Sequence, residues 1–240
     1  MARRRVVILG AGIQGVSLAF ALADRGLHVD VLEAEAKPLN VTSVRNEGKI
    51  HLGFVYALDE TGATQRAMME GALCFSSLFD RWCGPLPWHT WRAETFYYAV
   101  MPDSLAGVDQ LSASYERLGQ LVNDYSRDVG REPDYLGQPL SWLWKREADT
   151  SRAALAAGLN RQGLFHTEEA AIDTRLLAEF LRERLGDHPR IRLRCGVRVD
   201  GAERRNGGFR LHLETPTGVE QLDADLVANC TWVDCTRIDT

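Results

Sequence analysis

Residues Val6 to Glu33 constrain this chain more than any other stretch. Val6-Val7-Ile8-Leu9 is a short, wholly apolar run, the pattern of a strand buried on both faces. Gly10, Gly12 and Gly15 follow at G-x-G-x-x-G spacing. Val16, Ala19, Phe20 and Ala23 then recur with helical periodicity, and Gly26 supplies a helix stop. Val29, Val31 and Leu32 make a second strand, with Glu33 at its end, 23 residues after Gly10. Strand, glycine turn, helix, strand and terminal acid, in that order, spell a β-α-β unit.

Each residue type in the unit has a physical task, and together they specify a dinucleotide site. Gly10 lets the backbone turn sharply out of the strand. Gly12 removes the Cβ that would block a pyrophosphate, and Gly15 lets the helix pack close on the strands. Ile13 and Gln14 open the helix, whose end supplies N–H groups and positive dipole to a diphosphate without a lysine. Glu33 is expected to accept hydrogen bonds from ribose hydroxyls, and its charge repels a 2′-phosphate. That favours FAD or NAD over NADP. The basic Arg3-Arg4-Arg5 and the uncharged run to Ala21-Leu22-Ala23 also resemble a secretory leader with its cleavage site. Three glycines and Gln14 interrupt that run, and a leader gives Glu33 no reason for its position.

At 240 residues the chain suits one large domain or two small ones. Apolar content of 45%, charged content of 25% and a net charge of −5 describe an ordinary globular protein with no nucleic-acid partner. No other apolar run is long enough to span a bilayer. Five cysteines at irregular spacing, without C-x-x-C, imply free thiols and a cytoplasmic location. The six histidines are dispersed and form no metal-ligand spacing.

After Glu33, a loop to Thr42 leads into a polar, glycine-punctuated segment, Ser43 to Gly53. Residues 61–82 have helical periodicity, and Gly84-Pro85-Leu86-Pro87 marks a boundary. Glu94 to Val100 is a strand rich in aromatic and β-branched residues, and residues 104–128 form a long amphipathic helix. From Leu164 the pattern of the first domain returns. A helix at 174–185 presents Leu176, Leu177, Phe180, Leu181 and Leu185 on one face, and Ile191 to Cys195 is a strand. A hairpin joins Phe209–Leu213 to Val219–Leu222, and Ala224 to Cys230 is a last buried strand.

These residues resemble the D-amino-acid-oxidase-like FAD-dependent oxidoreductases, which include glycine and sarcosine oxidases, glycerol-3-phosphate dehydrogenase and L-2-hydroxyglutarate oxidase. The fingerprint Gly10–Gly15 with Glu33 is shared. Asn46-Glu47-Gly48-Lys49-Ile50-His51-Leu52-Gly53 is similar to an N-x-G-x-I-H-x-G block of the hydroxyglutarate branch. Val199, in Gly196-Val197-Arg198-Val199, matches a position whose backbone reads the adenine. Asp223 through Thr231-Trp232 is similar to the strand that returns beneath FAD, though without the glycine common in that turn.

The resemblance implies an α/β fold: a Rossmann-like FAD-binding domain with an inserted α+β substrate-domain portion. Residues 1–82 and 150–240 are assigned to a discontinuous FAD-binding domain and 83–149 to the substrate portion. FAD is the implied cofactor, held by Gly10, Gly12, Ile13, Gln14, Gly15, Glu33, Ser43, Arg45, Asn46, Gly48, Val199 and Thr231. Ser43 and Arg45 carry donors suited to phosphate oxygens, although Arg45 equally fits a solvated loop. Asn46, Gly48 and His51 are expected near the isoalloxazine. His51 is the candidate catalytic base, an imidazole that orients the ring, or a satisfied core histidine. Trp88, Trp91, Tyr97 and Tyr98 line a substrate pocket or, as aromatics at strand spacing more often do, build core.

The implied function is oxidation of a small amine or 2-hydroxy acid by hydride transfer to flavin. The electron acceptor and any partner chain are left open. The alternative is a non-catalytic or truncated flavin-binding or dinucleotide-binding protein. Family members usually run past this point, so the C-terminal elements that close over the flavin are expected to be missing, with weak flavin retention as the consequence.

Overall fold

The computed structural model describes residues 4–148, 150–151 and 161–238. The chain divides into two compact units: residues 1–46 with 174–240, and residues 47–173. The expected limits at 82 and 150 therefore move to 46 and 174, and residue 149, at the second of the expected limits, lies outside the described residues.

The first unit begins with β1 (Val6–Leu9), α1 (Ile13–Asp24) and β2 (Val29–Glu33). All four β1 residues are buried, because β1 is hydrogen-bonded along both edges. Helix α1 turns Val16, Ala19, Phe20 and Ala23 inward, as the spacing requires. It ends as a Schellman motif: Gly26, at φ +84°, donates its N–H to Ala23 and Leu27 donates to Leu22.

The second unit follows in the chain. It opens with β3 (Lys49–Ile50), then α2 (Ala63–Cys83), α3 (Trp88–Trp91) and β4 (Arg92–Val100). Next come α4 (Val108–Val129), the short pair β5 (Asp134–Tyr135) and β6 (Gln138–Pro139), β7 (Trp144–Arg146) and β8 (Gly163–Ile172). Strand β8 is the centre of its antiparallel sheet and pairs with β3, β4 and β7. Successive β8 side chains take opposite faces. Phe165 on one face meets Tyr115 of α4 edge-on, with ring centroids 5.1 Å apart.

The remainder of the first unit comprises α5 (Thr174–Gly186), β9 (Ile191–Cys195), β10 (Arg198–Arg205), β11 (Gly208–Thr215), β12 (Gly218–Ala224), β13 (Leu226–Asn229) and α6 (Cys235–Ile238). Its parallel sheet runs β13-β1-β2-β9. Strands β10, β11 and β12 form an antiparallel sheet. Val7, Leu9 and Leu32 of the parallel sheet share a core with Val199, Leu211 and Leu213 of the antiparallel one. The strand order reverses between β1 and β13. In open α/β sheets ligands bind at such a switch point, beyond the carboxyl ends of the strands.

Four expectations are corrected. Gly84-Pro85 is a turn inside the second unit and no boundary: the chain folds back on α2, where Asp80 Oδ1 accepts from Leu86 N (2.9 Å) and Trp88 Nε1 (2.8 Å). Leu164 does not reopen the first unit; it belongs to β8, the middle strand of the second. The last strand is shorter than expected and only partly buried, with Leu226 49% exposed, because β13 lies at a sheet edge. Leu176 also faces solvent, while Leu177, Leu181 and Leu185 are buried. Among the described residues no helix is long and apolar enough to cross a membrane.

Candidate cofactor site and active-site residues

The glycine turn leaves β1 where β1, β2 and β13 end together. Gly10 takes φ +90° and donates its N–H to Leu32 O (2.7 Å). A Cβ on Gly10 would stand 2.7 Å from Cys230 O, and one on Gly15 only 2.0 Å from Gly10 O. Those two glycines are required by packing of the turn itself. Gly12 differs. Its backbone is extended (φ −71°, ψ 177°), and an added Cβ would meet nothing closer than Ser43 Oγ at 3.6 Å. Gly12 caps α1 with no side-chain hydrogen bond, and Ile13 N donates to Ser43 Oγ (3.0 Å).

These groups border a cavity of about 420 Å³ within the first unit. Gly10, Gly12, Ile13 and Gln14 line one part of it. Glu33, Ser43, Asn46, Val199 and Thr231 line the rest. Glu33 Oε2 accepts from Ala11 N (2.7 Å) and Oε1 from Glu35 N (2.9 Å). The carboxylate thus clamps the glycine turn, and each oxygen keeps lone-pair capacity for a further donor. The main chain continues the clamp, with Val197 N donating to Glu33 O (2.9 Å) and Gly196 N to Glu35 O (2.9 Å).

Of the expected cofactor residues, Gly15 lies behind the turn and Arg45 is exposed; neither borders the cavity. Gly48 and His51 belong to the second unit. Arg182 of α5 escaped sequence reading. Its guanidinium donates to Pro38 O and Leu39 O (2.9 Å each), while Leu39 N donates to Ala11 O (2.9 Å). Leu39, buried at φ +54°, lines the cavity in a conformation costly for a branched residue. Arg182 holds that loop in place from 143 residues away, a separation no local signal reveals. Burial pushes the Cys230 thiol, which borders the cavity, above its usual value and so keeps it protonated.

In the second unit, His51 packs edge-on against Tyr56, with its side chain 28% exposed. Its Nδ1 is buried without a hydrogen bond and stands 3.4 Å from Glu169 Oε1, off the bonding direction. Trp88 and Trp91 are core, at 2% and 9% exposure, so the bland reading holds for them. Tyr97 is 45% exposed and stacks on His166 with centroids 4.2 Å apart. His166 Nε2 is 2.7 Å from Thr95 Oγ1. Burial and then the Lys145 charge hold the His166 imidazole below its usual value, against the opposing pull of Glu147. Among the described residues no group of His, Cys, Asp and Glu side chains is arranged to hold a metal.

The sequence matches the family model described as DAO, FAD dependent oxidoreductase, over residues 5–238. The chain belongs to that family. It is 27% identical over 155 residues to a D-amino acid dehydrogenase of Bradyrhizobium diazoefficiens, covering 60% of this chain and 34% of that one. Its fold is similar to L-proline dehydrogenase from P. horikoshii, with a TM-score of 0.66, 15% identity, and coverage of 99% of this chain and 55% of that one. It is likewise similar to the open form of NikD, an amino acid oxidase (TM-score 0.65, 16% identity, 99% of this chain and 53% of that one). The chain spans about a third of the dehydrogenase's length and about half of each solved chain.

FAD, the family's cofactor, fits the residues present. Gly12 leaves room where a methyl group would intrude, the N-terminus of α1 offers N–H groups, and Glu33 supplies acceptors across the cavity.

Proposed function

We propose that the chain is an FAD-dependent oxidoreductase that oxidises a small amine or amino acid, with a 2-hydroxy acid as the less favoured substrate. The observation that carries the reading is the cavity bounded by Gly12, Glu33 and Val199 at the switch point of a chain whose family match runs through residues 5–238. The amine preference draws support from relatives named as D-amino acid and L-proline dehydrogenases. Gly10, Gly12, Ile13, Gln14, Gly15 and Glu33 serve the adenosine and pyrophosphate half, with Ser43, Asn46, Val199 and Thr231 beside them. Arg45 and Gly48 are retained as contacts of the flavin half.

Bound FAD supplies a two-electron acceptor for hydride from the carbon bearing the amine or hydroxyl. The protein's own part is to bind, orient and deprotonate. His51 is the proposed proton acceptor, taking the N–H or O–H proton at Nε2. All five cysteines are free thiols, in keeping with the cytoplasmic location we infer.

The test is anaerobic mixing of FAD-loaded protein with amino acids of both hands, N-methyl amino acids and 2-hydroxy acids, following loss of flavin absorbance. Bleaching by an amine and not by the matching hydroxy acid is expected. A protein that stays colourless in excess FAD would overturn the cofactor assignment, and one that binds FAD but is reduced by no member of the panel would overturn the substrate class.

A further inference from the structure

His51 reaches its setting through a residue that no pattern in the sequence marks. Glu169 lies on β8 with no exposed side-chain surface, the one charged residue among the fully buried side chains of the described residues. A buried carboxylate survives only if donors replace the water it has lost. Two hydrogen-bond donors and two neighbouring basic groups do so here, and they divide between the two oxygens. Oε2 accepts from the Tyr98 hydroxyl and stands 3.4 Å from Lys49 Nζ. Oε1 accepts from Leu52 N at 2.7 Å and faces His51 Nδ1 at 3.4 Å. Three of the four groups come from residues 49–52, so the carboxylate holds the segment that carries His51.

We infer that Glu169 is the positioning residue of His51: it faces the Nδ1–H, fixes that tautomer, and leaves Nε2 as the basic nitrogen. The inference rests on the functional reading of His51 given above. The tautomer follows from the geometry. A neutral imidazole with an Nδ1 lone pair 3.4 Å from a carboxylate oxygen is repelled, whereas one with a proton there is attracted even off the bonding direction. Nδ1 is buried with no hydrogen bond, so the carboxylate 3.4 Å away is the group whose charge compensates it.

The competing account is that Glu169 exists only to neutralise Lys49. Lys49 has other compensation. Its ammonium donates to Tyr98 Oη at 2.6 Å and lies over the rings of Phe96 (4.1 Å) and Tyr98 (4.5 Å). It also uses Oε2, leaving Oε1 to Leu52 and His51. Burial works to raise the Glu169 carboxyl, but the nearby His51 and Tyr98 side chains and the Lys49 charge outweigh it and hold the group below its usual value. Burial, with the Glu169 charge second, pushes the Tyr98 phenol far upward, so it remains a donor.

In the proposed step the substrate's N–H or O–H bond breaks and an Nε2–H bond forms. His51 becomes an imidazolium, and the ionised Glu169 stabilises it without taking the proton. FAD held at the cavity of the proposed function would supply the acceptor for the hydride. Glu169 thus acts as the orienting carboxylate does in other histidine-dependent sites, through geometry and charge and not as a second base.

Histidine-labelled protein and long-range ¹H–¹⁵N correlation spectra read the tautomer directly, with His51→Asn assigning the signal. The wild type should show Nδ1–H. Glu169→Gln should move His51 to Nε2–H or a mixture, Glu169→Asp should restore part of the wild-type pattern, and Lys49→Met should leave the tautomer unchanged. A wild-type signal with Nε2–H overturns the inference and needs no variant to fold. So does a tautomer that answers to Lys49→Met and not to Glu169→Gln. With an amine that reduces the flavin, Glu169→Gln at equal FAD content should slow reduction about a hundredfold with little change in the substrate's half-saturation. Adding His51→Asn to it should slow reduction little further. If His51→Asn alone leaves reduction at the wild-type rate, the functional reading fails while the tautomer result stands by itself.

Discussion

Substitution of Gly12 by alanine separates the demands of the fold from those of the ligand. The added methyl group meets Ser43 Oγ at 3.6 Å, an ordinary contact, and the extended backbone at φ −71° suits any residue. Alanine is a poorer N-cap than glycine, at a cost of about 0.5–1 kcal/mol. It also restricts the unfolded chain, which returns about 0.4–1 kcal/mol. The two offset, and stability should change by less than about 1 kcal/mol. Gly15→Ala is the control. Its Cβ falls 2.0 Å from Gly10 O, a backbone atom that cannot rotate away, so the turn must spread at a cost of about 3 kcal/mol or more. For FAD the order inverts in cause. Gly12 and Ser43, the residue its added methyl group meets, both line the cavity, so that methyl group is expected to hold the pyrophosphate off the start of α1. Loss of two hydrogen bonds to a charged group, at about 1.5–3 kcal/mol each, weakens binding by at least about a hundredfold. Thermal melts followed by circular dichroism, together with FAD titrations followed by flavin fluorescence, measure both quantities. Gly12→Ala that binds FAD as tightly as the wild type refutes the assignment of this cavity. Gly12→Ala that melts as low as Gly15→Ala refutes the claim that the glycine serves the ligand and not the fold.

Two further outcomes follow from the same packing. Arg182→Ala leaves two carbonyls of the cavity loop, one of them that of the lining residue Leu39, without the Arg182 donor, so it should cost about 1–3 kcal/mol in urea unfolding and weaken FAD binding although Arg182 itself does not line the cavity. Asp59 accepts from Thr61 Oγ1 (2.6 Å), Thr61 N (3.0 Å) and Thr64 N (2.7 Å) at the start of α2, which holds its carboxyl down to about 2 from 3.8. A carboxyl depressed on folding stabilises fully above its unfolded value and loses that contribution as pH falls through the folded one. The stability gap between wild type and Asp59→Ala in urea melts should therefore narrow between pH 3.8 and about pH 2 and stay constant above it.

What was legible in the sequence is what is local. The β-α-β unit closes within residues 6–33, and its hydrogen bonds, Gly10 N to Leu32 O among them, join residues whose types already announce the turn. The hairpin of β11 and β12 is legible for the same reason, since Pro216-Thr217-Gly218 sits between alternating strands. The division between the units was not, because punctuation by Gly84-Pro85 signals a turn and carries no information about which core the chain then joins. Asp80 and the edge-to-face rings of Phe75 and Trp88 settle that, the ring centroids 5.7 Å apart across the turn.

Strand β8 is the clearest case of a core element hidden by its own composition. Thr167-Glu168-Glu169 at its middle resembles a solvated stretch, since glutamate is almost never fully buried unless paired. The two glutamates part company by strand alternation: Glu168 turns to the Arg92 guanidinium on one face, and Glu169 goes under the sheet to Lys49, His51 and Tyr98 on the other. Glu169 is separated from Leu52 by 117 residues. A sequence can mark an imidazole as a candidate base by its type. Whether that imidazole is held in one tautomer depends on a partner brought in by sheet register, and register is set by all the strands together. The proposed chemistry at His51 is therefore a property of β8 as much as of the Asn46–Gly53 segment, and substitutions on β8 that shift its pairing by one residue would carry Glu169 to the opposite face and leave His51 Nδ1 buried with no acceptor.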